Sequence, residues 1–299
     1  MPEHTAFRGV LAAVATPFDA DFDVDEAGLR RLVDDLIADG VQGLVPVGST
    51  GEFASLSNAE RRRIAEIVLE QAAGRVPVIV HTGAITTKEA IGLSQHAASS
   101  GAAGLLLLPP YKDQLSAAEN AAYFEAVADS TPLPAIIYNL PVVTGVNLTP
   151  EDVAGMAQRS PNIAYVKDTS GDWHQLTRSI HDYREVFTTL VGWDTMLLGA
   201  LVEGAAGCIL GSTNVTAKPF VRVYEAVRAG DLVAARAEWN RVYPLTRFLL
   251  SGGYVGGLKG SMEAAGRSIG ASRAPIAGLS PERQTEIATI LKAMESTAA

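Results

Sequence analysis

The chain has 299 residues, 47% of them hydrophobic, with a mean hydropathy of +0.16, which is ample for a sizeable core and unlike a disordered segment. A formal net charge of −9, a pI near 5.1 and the lack of any long Lys/Arg stripe argue against nucleic acid as a partner. The single cysteine, Cys208, excludes an intrachain disulfide, and no apolar run nears the roughly 20 residues needed to span a bilayer. With Glu3 where a secretory leader would carry cations, the expectation is a soluble cytoplasmic protein.

Eight short apolar runs recur, at residues 9–15, 41–47, 76–80, 104–108, 135–138, 163–167, 187–191 and 207–210. Helix-length segments separate them. Leu29, Leu32, Val33, Leu36 and Ile37 mark one apolar stripe, and Ile64, Ile67 and Val68 mark another. Near-continuous apolar strands alternating with helices specify a parallel sheet covered on both faces, and eight of them favour a closed (β/α)8 TIM barrel over an open doubly wound sheet. Arg61-Arg62-Arg63, set among Glu60 and Glu66 in a helical pattern, reads as a solvated face. Residues 1–220 are assigned to the barrel. Residues 221–299 are assigned to a helical extension packed on it, with helices expected at 221–229, 232–250, 258–265 and 281–294.

Catalytic groups of such a barrel sit at the carboxyl ends of its strands, so the strand ends form a site map. The sixth run, Ile163-Ala164-Tyr165-Val166-Lys167, ends in a lysine. Burial disfavours the ammonium form, so a lysine there is a candidate nucleophile, whereas pairing with Asp168 or snorkelling to solvent is the structural alternative. The fifth run ends in Tyr138, and the second in Gly48-Ser49-Thr50-Gly51-Glu52, whose small residues and hydroxyls suit an anion. The fourth run leads to Tyr111 and Lys112, the third to His81, the seventh to Gly192-Trp193-Asp194 and the eighth to Gly211-Ser212-Thr213. Taken together, Lys167, Tyr138 and the hydroxyl loop fit imine chemistry: the lysine condenses with a ketone, the tyrosine relays protons and the loop holds an adjacent carboxylate. A Gly-Ser-Thr turn and a strand-end tyrosine, each by itself, are more often structural.

Other chemistries lack their signatures. His4, His81, His96, His174 and His181 have no metal-ligand spacing, and neither phosphate-binding glycine motifs nor a nucleophile elbow is present. Cys208 lies in an apolar run and reads as core. Lys259 is a second candidate for a buried lysine, but no strand presents it.

At these residues the chain resembles the dihydrodipicolinate synthase and N-acetylneuraminate lyase family of Schiff-base-forming class I pyruvate lyases. The resemblance rests on Gly48-Ser49-Thr50-Gly51-Glu52, on Tyr138-Asn139-Leu140-Pro141 with Thr144-Gly145, and on Val166-Lys167-Asp168. It implies that Lys167 forms the imine with pyruvate or another 2-oxo acid and that Tyr138 is the general acid/base. It also implies that Ser49 and Thr50, with Gly51, bind the carboxylate, Thr50 sharing in proton relay. No cofactor and no metal are implied, and the assembly expected is a homotetramer.

Departures from the dihydrodipicolinate synthases bear on the substrate. Those enzymes carry an arginine in the loop after the tyrosine, where this chain has Val143, and a second relay tyrosine after strand four, where it has Lys112. Tyr111 is retained among the candidate substrate contacts. Gly211-Ser212-Thr213 and Gly192-Trp193-Asp194 are similar to strand ends that grip a polyol tail in sialic acid lyases, so Asp194 and Ser212 join the candidate set, with helix capping the alternative for Asp194. Lys167-Asp168-Thr169 is similar to 2-keto-3-deoxygluconate aldolases, and Gly51-Glu52-Phe53 to keto-deoxy-glucarate dehydratases. The expectation is an aldolase cleaving a 2-keto-3-deoxy sugar acid to pyruvate and an aldehyde. Dihydrodipicolinate synthase, a sugar-acid dehydratase and a non-enzymatic 2-oxo-acid sensor are the alternatives.

Overall fold

Alternation of side chains along each strand builds two apolar layers from one sheet. In the computed structural model, which describes residues 7–296, the strands are β1 (Gly9–Ala13), β2 (Gly43–Val45), β3 (Ile79–His81), β4 (Gly104–Leu107), β5 (Ala135–Asn139), β6 (Ile163–Asp168), β7 (Thr188–Val191) and β8 (Gly207–Leu210). Glu3 and His4 lie outside the described residues. Leu11, Val45, Ile79, Leu106, Ile136, Tyr165, Leu190 and Ile209 pack together inside the ring. Their neighbours Val10, Leu44, Leu105, Ile137, Val166, Val191 and Cys208 face outward against the helices.

All pairings are parallel, in the order β2-β1-β8-β7-β6-β5-β4-β3. The ends of that series meet: Leu44 bridges Val78, and the Leu44 N–H donates to the Pro77 carbonyl at 3.0 Å. This closes the (β/α)8 barrel. Five strands are shorter than the apolar runs that encode them, and for two of these the backbone gives the reason. Val47 turns to a φ of 53° and ends β2, and Pro77 has no N–H to donate, so β3 starts after it.

The helices are α1 (Glu26–Ala38), α2 (Asn58–Ala72), α3 (Thr87–Ser99), α4 (Ala117–Ala128), α5 (Pro141–Thr144), α6 (Pro150–Arg159), α7 (Trp173–His181), α8 (Leu197–Glu203), α9 (Lys218–Arg228), α10 (Leu232–Leu250), α11 (Tyr254–Ala264) and α12 (Pro281–Ser296). Reciprocal Ser/Thr and Glu/Asp capping boxes start α2, α4 and α6, satisfying N–H groups that the first turn leaves unpaired. Residue 220 falls inside α9, which packs on β1 and on α8 as the helix after β8. The C-terminal layer is then α10 to α12. Among the described residues no helix is long and apolar enough to cross a membrane, and no cluster of His, Cys, Asp or Glu could hold a metal ion.

The arginine triplet does not form a uniformly solvated face. Arg63 is paired on the surface with Glu26, but Arg61 is buried and donates to the carbonyls of His81 and Gly83 at 3.1 and 3.0 Å. Burial pulls its guanidinium down to about 10. The helical pattern put Arg61 beside charged neighbours; the unpaired carbonyls at the end of β3 drew it inward.

The β1–β8 seam leaves no room for a side chain. A Cβ on Gly207 would lie 2.1 Å from the Gly9 carbonyl oxygen. Gly207→Ala is therefore expected to cost about 1–3 kcal/mol by forcing these strands apart. Urea titration measures it, and a loss below about 0.5 kcal/mol would show that the seam yields freely.

Candidate active site

Register sets the two central side chains beside each other. Tyr138 of β5 is paired with Lys167 of β6, and both point to the barrel interior, on the same face as Ile136 and Tyr165. The Lys167 amino group lies 3.8 Å from the centroid of the Tyr138 ring. Both residues are buried, Lys167 to 5% exposure. Lys167 has no ion-pair partner among the described residues. Asp168 faces the other way, accepting from the Ser170 N–H at 2.7 Å and from Gln175 at 3.4 Å. Gly192, at the end of β7, makes the lysine's path. A Cβ there would stand 2.7 Å from Lys167 Cε and 1.9 Å from Thr169 Oγ1, so any larger residue would displace the chain that carries the amine.

Ser49 and Thr50 follow β2 in a tight loop. Val47 and Glu52 both have positive φ, at 53° and 58°, a conformation that costs a non-glycine residue about 1 kcal/mol or more. Gly51 sits where a Cβ would press on the Val14 carbonyl at 3.0 Å, and its own carbonyl accepts from Thr16 Oγ1 at 2.7 Å. Among the described residues, the N–H groups of Ser49, Thr50 and Gly51 donate to no protein acceptor, and the buried Ser49 hydroxyl is unpartnered. Such a cluster of free donors on a curved backbone suits a carboxylate. His81 supports the loop from below: burial holds its imidazole neutral, and Nδ1–H donates to the Val47 carbonyl at 2.9 Å.

Lys167, Tyr138, Ser49, Thr50 and Asp194 line one cavity of about 290 Å³. The three other candidates do not line it. Tyr111 packs edge-on against Phe53, with ring centroids 6.1 Å apart, and lines a separate hollow with Lys112 and Asn147. Gly51 supports the loop through its backbone. Ser212 is fully buried behind Asp194, to which its N–H points at 3.4 Å. Asp194 does not cap a helix; it opens a short 3₁₀ turn, Asp194–Met196, and makes no capping bond.

Three contributors were not among the candidate site residues: Gly192 and Thr169, which the strand ends include without a role, and Tyr254. Tyr254 donates to Asp194, its oxygen 3.0 Å from both carboxylate oxygens. It begins α11, four residues before the helix expected from periodicity, because Gly252-Gly253 and Gly256-Gly257 mask the start. Gly211 lets it in: a Cβ there would lie 2.7 Å from the Tyr254 hydroxyl and 2.8 Å from Thr50 Oγ1. Leu140, Val142, Val143, Leu250 and Val255 give the cavity an apolar part of its lining, and Val142 and Val143 are exposed. Lys167 is the only Lys, Arg or His in its lining.

A model of the dihydrodipicolinate synthetase family matches residues 6–294. The chain belongs to that family. It is 35% identical over 300 residues to a putative 2-dehydro-3-deoxy-D-gluconate aldolase, YagE, of Escherichia coli, covering 99% of each chain. A 4-hydroxy-tetrahydrodipicolinate synthase of Salinibacter ruber is 38% identical over 247 residues, 83% of this chain and 82% of that one. The crystal structure of YagE, described as a complex with pyruvate, superposes with a TM-score of 0.93 at 35% identity, over 97% of this chain and 99% of that one. As a dihydrodipicolinate synthetase family member, the chain is a class I carbon–carbon lyase working through a Schiff base.

Burial lifts the Asp194 carboxyl above the ordinary range, against opposing hydrogen bonds from Ser212 and Tyr254. Burial, and after it the Asp194 charge, raises the Tyr254 phenol well above its usual value, so the tyrosine stays a donor. With a folded pKa above the unfolded one, Asp194 binds its proton more tightly in the native state, and its contribution to stability falls as pH rises from about 3.9 through the folded value. Asparagine keeps an acceptor for Tyr254 and does not ionise. Asp194→Asn is expected to be more stable than wild type at pH 7, with the gap closing on acidification below about pH 4. A gap that widens in acid would mean that the site stabilises the anion.

Proposed function

We propose that this family member is a pyruvate-dependent aldolase that cleaves a 2-keto-3-deoxy sugar acid. The observation that carries the reading is the charge inventory of the cavity. Lys167 is the only cation in its lining, Val143 stands exposed at the rim where the resemblance placed an arginine in dihydrodipicolinate synthases, and Asp194 is a buried carboxyl in the same lining. Once Lys167 is consumed in the imine, a second carboxylate on the substrate would meet no cation and one carboxyl group. A hydroxylated tail meets acceptors and donors in Asp194, Tyr254 and Thr169. The relation to YagE over nearly its whole length supports the same substrate class.

The residues divide the reaction between them. The free donors of Ser49, Thr50 and Gly51 hold the C1 carboxylate. Lys167 Nζ attacks C2, and loss of water gives the iminium. Tyr138 takes the proton of the C4 hydroxyl as the C3–C4 bond breaks. The bonding pair moves into the enamine, with the iminium nitrogen as electron sink. The proton then returns to C3, and hydrolysis frees pyruvate and Lys167. The reading expects a cytoplasmic homotetramer, as the resemblance implies.

Borohydride added with pyruvate should leave a pyruvate-derived mass on the peptide carrying Lys167; a label on Lys259, or none, overturns the assignment. Tyr138→Phe should lower kcat by about 10²–10⁴ with the fold retained, as expected for a positioned proton-transfer group. Near-normal turnover would remove that tyrosine from the chemistry.

Substrate class is a separate test. kcat/KM for keto-deoxy sugar acids should exceed that for pyruvate plus aspartate semialdehyde by at least about tenfold, the scale set by an unpaired carboxylate. The reverse order would identify a dihydrodipicolinate synthase, and water loss without aldehyde release a dehydratase.

A further inference from the structure

Lys259, conspicuous in the sequence and unused by the chemistry above, is bound to the loop that precedes the cavity. Its amino group lies 2.8 Å from Glu52 Oε1, with side-chain exposures of 4% and 0%, and it also donates to the Ala271 carbonyl at 3.1 Å. Neither member of the pair lines the cavity. Glu52 Oε2 accepts from the Arg273 N–H at 3.0 Å, and the Arg273 guanidinium donates to the carbonyls of Ser55 at 2.9 Å and Phe22 at 2.8 Å. Both cations also lie over the Phe18 ring, at 4.2 Å for Lys259 and 4.4 Å for Arg273.

The other end of this clamp is the carboxylate-binding turn. Glu52 N–H donates to the Ser49 carbonyl at 3.1 Å, and the Glu52 carbonyl accepts from Ser55 N–H at 2.8 Å. With φ at 58°, Glu52 occupies a conformation that a freely rotating loop would leave. Any relaxation of that angle swings Ser49 and Thr50, three and two residues back. Apolar contacts would stabilise the interface without fixing such an angle, because they have no direction. A buried ion pair contributes little net stability over an apolar pair of the same size, but it demands one geometry. α11 thus carries two attachments: Tyr254 to Asp194 in the cavity lining, and Lys259 to Glu52 behind the Ser49-Thr50 turn.

We propose that the Glu52–Lys259 pair is a positioning device through which the C-terminal helical layer holds the Ser49-Thr50 turn in the form that receives the 2-oxo acid carboxylate. The inference rests on the pyruvate-imine reading. Wild-type trapping by pyruvate and borohydride is therefore measured first; no adduct on Lys167 defeats that reading and this inference with it. The pyruvate concentration giving half-maximal trapping is then compared in Lys259→Met, Glu52→Gln and the double variant. The single changes strand a buried charge and risk misfolding, whereas the double variant removes both charges and keeps the volume. Gly207→Ala, at the opposite end of the barrel, serves as a destabilised control.

The double variant is expected to need on the order of tenfold more pyruvate for half-maximal trapping, while saturating pyruvate still labels Lys167 fully. Gly207→Ala should be trapped at the wild-type concentration. A folded double variant with wild-type half-saturation overturns the proposal, as does an equal shift in Gly207→Ala, which would make the effect one of stability. Should the double variant fail to fold, Lys259→Arg decides. It keeps the charge but changes its geometry, and a half-saturation matching wild type then rejects a positioning role, whereas a rise of several-fold sustains it.

Discussion

A single amine threaded through the barrel interior organises this molecule. Lys167 has to leave an apolar strand and present its nitrogen to a small cavity without an ionic partner among the described residues. Tyr138 provides a ring face on one side, and the missing side chain of Gly192 provides the space on the other. Parallel strands about 4.8 Å apart in fixed register are what make this arrangement reproducible. Closure of the sheet through Leu44 and Val78 fixes the last degree of freedom, since an open sheet would let its ends twist apart.

The cavity is lined by two polar clusters of different character. At one, the β2 loop carries unpaired donors on a strained backbone, and the strain at Val47 and Glu52 is held by contacts on every side: His81 beneath, Thr16 against Gly51, and Lys259 and Arg273 behind. At the other, Asp194 is a buried carboxyl tied to Tyr254 and framed by hydrocarbon. Desolvation makes that carboxyl costly, and such costs are commonly borne at functional sites.

The C-terminal layer is more than a cover. α11 reaches the cavity through Tyr254 and the β2 loop through Lys259, so two parts of the site that are distant in sequence are referred to one helix. This joins residues 49–52 and 194 through a segment beginning at 254, a connection that no strand-end pattern contains.

Sequence alone determined the barrel and its central residues, because a strand's burial and side-chain alternation are local properties. The eight apolar runs, the lysine at 167 and the tyrosine at 138 follow from period, composition and the family motifs, and the pairing of adjacent strands was enough to set those two side by side. Tertiary structure decided which remaining candidates share that space. Tyr111 and Ser212 both follow strands, as Asp194 does, yet one turns to a separate hollow and the other is sealed beneath its neighbour. Arg61 was pulled from a charged helix face by two carbonyls encoded some 20 residues away. The roles of Tyr254, Gly192 and Glu52 were likewise not legible, because they lie in what approaches each: the Asp194 carboxylate, the Lys167 stem and the Lys259 amine, brought close only when the chain has closed on itself.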